Sequence, residues 1–161
     1  MMSDVSTDQR AGGVLPHLAG RRPPVVSAAL DLLDTARHDI AEAMTTTVPT
    51  ERYTAAHLAA LRTAAAVLAV RTRPAATKRP RNVWALLPQV APELTEWSAF
   101  FAAGAAKRAA AEAGLTRAVR PREADDLLRD AQTFLALVET TLGLPHQAAL
   151  PHLASLAHRA S

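Results

Sequence analysis

Arg71, Arg73, Lys78, Arg79 and Arg81 fall within eleven residues that contain no acidic side chain. Cations gathered this way neutralise phosphates with little preference for base sequence. The segment is therefore the strongest candidate for binding an anion such as RNA or a nucleotide. Pro74 and Pro80 punctuate it, which predicts a mobile loop. No aromatic residue interleaves the charges, so no base-stacking platform is expected there.

Other chemistry-bearing residues are less well arranged. His146, His152 and His158 recur every six residues. That step is a rotation of about 240° on a helix, so the three share no face and have no acid or thiolate companion for a metal. Asp125 and Asp126 are neighbours that diverge on a helix, and with Glu123 they suit compensation of a helix dipole better than acid–base work. The chain has no cysteine, which excludes disulfides, thiolate metal sites and a cysteine nucleophile. Glycine-rich phosphate loops, nucleophile elbows and zinc patterns are absent. Neither a cofactor nor a metal is expected.

The elements that must position these residues are helices. The chain of 161 residues is 49% hydrophobic and carries a formal net charge of +3, which suits one globular domain with polar tails. Residues 1–23 read as a disordered tail, rich in glycine, proline and scattered charge. From Pro24 to about Met44, Val26, Ala29, Leu30, Leu33, Ala36, Ile40 and Ala43 make an apolar stripe. Pro49 should push Val48 out of helical angles and end this helix.

A second helix is predicted over residues 50–71, capped by Thr50, with Tyr53, His57, Ala60, Leu61, Ala64, Val67 and Leu68 on one face. Its many alanines allow neighbouring helices to approach closely, which marks it as central. Asn82 caps a short helix closed by Pro88, and Pro92 opens a long one that ends at Gly114. The last helix starts at Pro121 and ends at Gly143, a left-handed cap followed by Pro145. Residues 144–161 form a second tail, with room for a short helix over 151–158. No segment alternates as a strand does. The fold class is all-α, an antiparallel bundle of four long helices and one short one over residues 24–143. No apolar run approaches the ~20 residues of a membrane span, and the N-terminus lacks the order of a signal peptide. A cytoplasmic protein is the simplest expectation.

Three segments together resemble a HEPN domain, the higher eukaryotes and prokaryotes nucleotide-binding helical family. They are the register of residues 33–43, ERYTAAHLAALRTAAAVL at 51–68, and READDLLRDAQTFLALVE at 122–139. With the stretch at 91–114 the chain looks like a branch of stand-alone actinobacterial members. The resemblance implies a five-helix bundle, frequent dimerisation, and in many members metal-independent RNA cleavage. That activity belongs to an Arg, four to six residues, then His motif, in which histidine moves a proton of the ribose and arginine stabilises charge on the phosphate.

The motif ordinarily lies in the later helices, yet no histidine stands between His57 and His146. Two spacings match elsewhere, Arg10 with His17 and Arg52 with His57. On a helix Arg52 and His57 point about 140° apart and do not converge on one phosphate within one chain. The expected function is thus a non-catalytic nucleotide- or RNA-associated module, dimeric, with Arg71, Arg73, Lys78, Arg79 and Arg81 as its binding residues. A metal-independent, toxin-like ribonuclease using Arg52 and His57 is the alternative. A scaffold is the third reading, in which the two LPHLA copies at 15–19 and 150–154 hook a protein partner.

Overall fold

The structure is a computed structural model that describes residues 24–72 and 82–144. The expectations for both tails, for Arg10 and His17, for Arg73, Lys78, Arg79 and Arg81, and for His146, His152 and His158 fall outside those residues. Six α-helices make up the described fold: α1 (Pro24–Thr45), α2 (Pro49–Arg71), α3 (Val83–Val90), α4 (Thr95–Ala103), α5 (Ala105–Glu112) and α6 (Pro121–Thr141). No strand occurs among the described residues.

α1 and α2 form a helical hairpin. Ala29, Leu33, Ala36, Ile40 and Ala43 put the apolar stripe of α1 inside. The turn at residues 46–48 leaves Val48 extended (φ −86°, ψ 116°) ahead of Pro49. Helix α2 therefore begins one residue before Thr50, and no side chain caps it. Pro49 occupies the first helical position, where a missing N–H costs nothing. Thr46 stitches the turn instead: its hydroxyl donates to Glu51 Oε2 at 2.7 Å and accepts from the Val48 N–H at 3.3 Å.

α2 is buried on nearly every side, with Ala55, Ala56, Ala59, Ala60, Ala64 and Ala66 inside as well as Tyr53, His57 and Val67. It touches α1, α3, α5 and α6. Methyl side chains let all four approach, so composition and central position are one fact. By length and hydropathy α2 is also the one described helix that could cross a membrane, contrary to the expectation from apolar runs, but 61% of its most apolar window is buried inside the bundle.

The segment expected as one helix from Pro92 to Gly114 is interrupted. A single 3-10 turn, Pro92–Leu94, precedes α4, and Gly104 separates α4 from α5. A Cβ at Gly104 would stand 2.8 Å from the Tyr53 hydroxyl and 3.4 Å from His57 Cδ2. The missing side chain is what allows this corner to sit against α2. Helix α3 runs past Pro88 to Val90. Proline there cannot donate to the Trp84 carbonyl four residues back. The buried Ser98 hydroxyl of α4 donates to that carbonyl instead, so the helix continues and α3 is tied to α4.

All six aromatic residues of the chain gather at this end. Phe101 is the hub, with ring centroids 5.3 Å from Trp84, 5.9 Å from Trp97, 5.0 Å from Phe100, 5.2 Å from Phe134 and 6.2 Å from His57. Tyr53 joins by stacking on His57 at 6.5 Å. α6 closes the bundle with Ala124, Leu127, Ala131, Phe134, Leu135 and Val138 inside. The Leu144 N–H reaches the Glu139 carbonyl (2.8 Å) and the Gly143 N–H the Thr140 carbonyl (3.0 Å), with Gly143 at φ +68°. This is the left-handed cap that the position of Gly143 implies.

Candidate functional site

His57 is 1% exposed. Its Nε2 lies 2.9 Å from the Phe101 carbonyl oxygen, which can only accept, so Nε2 carries the proton and Nδ1 is the bare nitrogen. Nδ1 is buried without a hydrogen-bond partner, as is Arg108 Nε. Burial holds the imidazole below its ordinary pKa, against the pull of the Phe101 carbonyl, and the positive charge of Arg108 adds to the lowering. Ring contacts with Tyr53, Trp84 and Phe101 fix its plane.

That depression has a measurable consequence. Below about pH 6.5 the unfolded chain binds a proton at this histidine that the folded chain refuses. The stability His57 contributes is complete above that pH and is lost as the pH falls towards the lower folded value. Unfolding free energy should fall on acidification from pH 7 to 5 with a component approaching about 1.4 kcal/mol per pH unit. Denaturant melts across this range should show the component in the wild type and not in His57→Gln.

Arg52 is committed elsewhere. Its Nε donates to the Ala43 carbonyl at 3.0 Å and Nη2 to the Thr46 carbonyl at 2.7 Å, while Nη1 bonds the Asp125 carboxylate. One guanidinium thus caps the exposed carbonyls at the end of α1 and ties the start of α2 to α6. Arg52 and His57 do not meet, and no phosphate could touch both as they stand. Arg71, the described member of the basic segment, donates to Glu93 Oε1 at 2.5 Å and to the Val90 carbonyl at 3.3 Å.

Sequence reasoning passed over a cleft of about 720 Å³ lined by Tyr53, Phe100, Lys107, Arg122, Glu123, Asp126, Leu127, Arg129 and Asp130. Tyr53 from α2 joins its wall, and burial keeps its phenol protonated beyond the ordinary range. Apart from Asp130, the charges in the cleft are paired: Lys107 with Glu123 at 2.5 Å, Arg122 with Asp126 at 3.9 Å, and Arg129 with Asp126. The Lys107 ammonium beside Glu123, with the Arg120 N–H, holds that carboxyl below the usual range. The cleft is charged but balanced, so it offers no excess of cations to a phosphate. Its sequence signal is the helical spacing of Arg122, Asp126, Arg129 and Asp130, which puts these charges on one face of α6. Among the described residues no His, Asp or Glu group could hold a metal ion.

Comparison with known families matches residues 43–139 to the SAV_6107-like HEPN family. Comparison with curated proteins and with solved structures finds no match. The matched span takes in α2 to α5 and nearly all of α6, with Arg52, His57, Gly104, the aromatic hub and the cleft. A central alanine-rich helix carrying tyrosine and histidine, an acidic-start final helix and the match across more than half the sequence lead to one conclusion: the chain belongs to the SAV_6107-like HEPN family.

Proposed function

We propose that this protein is a non-catalytic HEPN module that binds RNA or nucleotide phosphates through the basic segment at residues 71–81. The observation that supports the reading most is the state of His57. Its one N–H is spent on the Phe101 carbonyl and its bare nitrogen is enclosed. General acid–base chemistry needs a histidine within hydrogen-bond reach of the substrate proton. The competing ribonuclease would require the ring to reach the surface and Arg52 to leave Ala43, Thr46 and Asp125. HEPN membership supports a nucleotide- or RNA-related role in general. A cytoplasmic homodimer fits that role, and sedimentation of the same samples tests the dimer.

Binding by the segment rests on charge alone, so it should be strongly salt-dependent. Retention of a single-stranded RNA on filters is measured from low to high salt for the wild type and for a variant with Arg73, Lys78, Arg79 and Arg81 neutralised together. The quadruple variant is expected to bind about tenfold or more weakly near physiological salt. Its slope of log affinity against log salt should flatten by about three. Unchanged affinity and slope would place binding elsewhere.

A further inference from the structure

Between α4 and α6 lies a pocket of about 330 Å³ lined by Glu96, Trp97, Phe100 and Asp130. Two aromatic rings and two carboxylates face one space. Phe100 is 46% exposed, although every other phenylalanine is fully buried. Its ring stands edge-on to Trp97, centroids 6.3 Å apart, and Trp97 rests on Phe134 at 5.4 Å, so the pair is held from beneath. Glu96 and Asp130 make no hydrogen bond or ion pair with any described residue, whereas Lys107, Arg122 and Arg129 nearby are each paired with another carboxylate. Asp130 is half-buried, and its carboxyl is pushed up by that burial and by the charge of Asp126, with the charge of Arg129 pulling the other way. A half-buried carboxylate beside the exposed Phe100 ring, without an ion pair of its own, leaves room for a further cation.

We propose that this pocket receives an arginine side chain presented by a partner polypeptide. A guanidinium can lie flat on Phe100 or Trp97 while its N–H fork bonds a carboxylate, which a compact ammonium does less well. A peptide fits better than a small free cation because the pocket shares Phe100 and Asp130 with the 720 Å³ cleft. That opening gives the chain on either side of the arginine a trough to follow, with paired charges able to meet its backbone. The two free carboxylates repel a phosphate backbone, so RNA is not the occupant. The inference is independent of the RNA-binding reading, since it uses none of residues 71–81.

The full-length protein is titrated with an end-capped peptide of alternating glycine and arginine, followed by tryptophan fluorescence and by the amide signals of α4 and α6. The same peptide with citrulline in place of arginine, spermidine and a short polyuridylate are titrated alongside. The arginine peptide is expected to shift the signals of Phe100 and Asp130, and the other three to leave them unmoved. Asp130→Asn and Phe100→Ala should each weaken binding about tenfold or more with melting curves close to wild type. Leu115→Ala, an exposed apolar site outside the pocket, should bind as the wild type does. Equal affinity in Asp130→Asn, or equal binding of citrulline peptide, spermidine or polyuridylate at these residues, overturns the proposal. So does peptide binding that appears only after Arg73, Lys78, Arg79 and Arg81 are neutralised, which would make the chain's own basic segment the occupant.

Discussion

Phe101→Ala is expected to destabilise the protein by about 3–5 kcal/mol, enough to leave a domain of this size marginal or unfolded. Phe101 is fully buried and its ring meets five others drawn from α2, α3, α4 and α6. Truncation removes the transfer free energy of the ring and leaves a cavity between helices that cannot all move inward together. Phe100→Ala, one position earlier and half exposed, should cost under about 1 kcal/mol, because surface truncations seldom exceed that. Urea unfolding of both variants measures the contrast. A small loss in Phe101→Ala would mean that the aromatic cluster packs more loosely than its centroid distances indicate.

The second large effect concerns His57. Replacement by alanine should cost about 2–5 kcal/mol. It opens a cavity beside Tyr53 and Trp84 and leaves the buried Phe101 carbonyl without its donor. Alanine therefore makes a poor test of catalysis, since lost activity would follow from lost structure. Glutamine can return an amide N–H to the same carbonyl without titrating near neutrality. His57→Gln should recover most of the stability while removing the pH-dependent component described above. Equal instability of the two variants would show that ring packing, not the hydrogen bond, dominates at this position.

Much of the architecture was legible because local signals and packing agreed. Alanines at i, i+3 and i+4 from Ala55 to Ala66 announced a helix enclosed by others. Pro121 with Glu123 marked the start of α6, where Glu123 accepts from the Arg120 N–H at 2.8 Å, and Gly143 marked its end. Asn82 caps α3 by accepting from the Trp84 N–H at 3.1 Å.

What escaped reading depends on partners distant in sequence. Arg52 stands in the first turn of α2, yet it bonds Asp125, 73 positions away. Pro88 looked like a stop, but Ser98 repairs the bond it removes. Asp39 of α1 lies outside the apolar stripe, yet it is 7% exposed and pairs with Arg62 of α2. Glu139 is fully buried in α6 and accepts from Arg37 Nη2 at 2.5 Å, which no helical period foretells. The cleft around Tyr53 needs a corner at Gly104 that composition alone does not signal. For the chemistry, the spacing of Arg52 and His57 and the place of His57 on the apolar face of α2 were visible, but its partners Trp84 and Phe101 were not.

Whether His57 serves packing or phosphodiester chemistry is tested most directly by incubating labelled single-stranded RNA with the full-length protein in excess chelator, and resolving the products on a denaturing gel. The expected result is RNA of unchanged length that is nonetheless retained by the protein at low salt. Progressive cleavage by the wild type that disappears in the stably folded His57→Gln variant would contradict it.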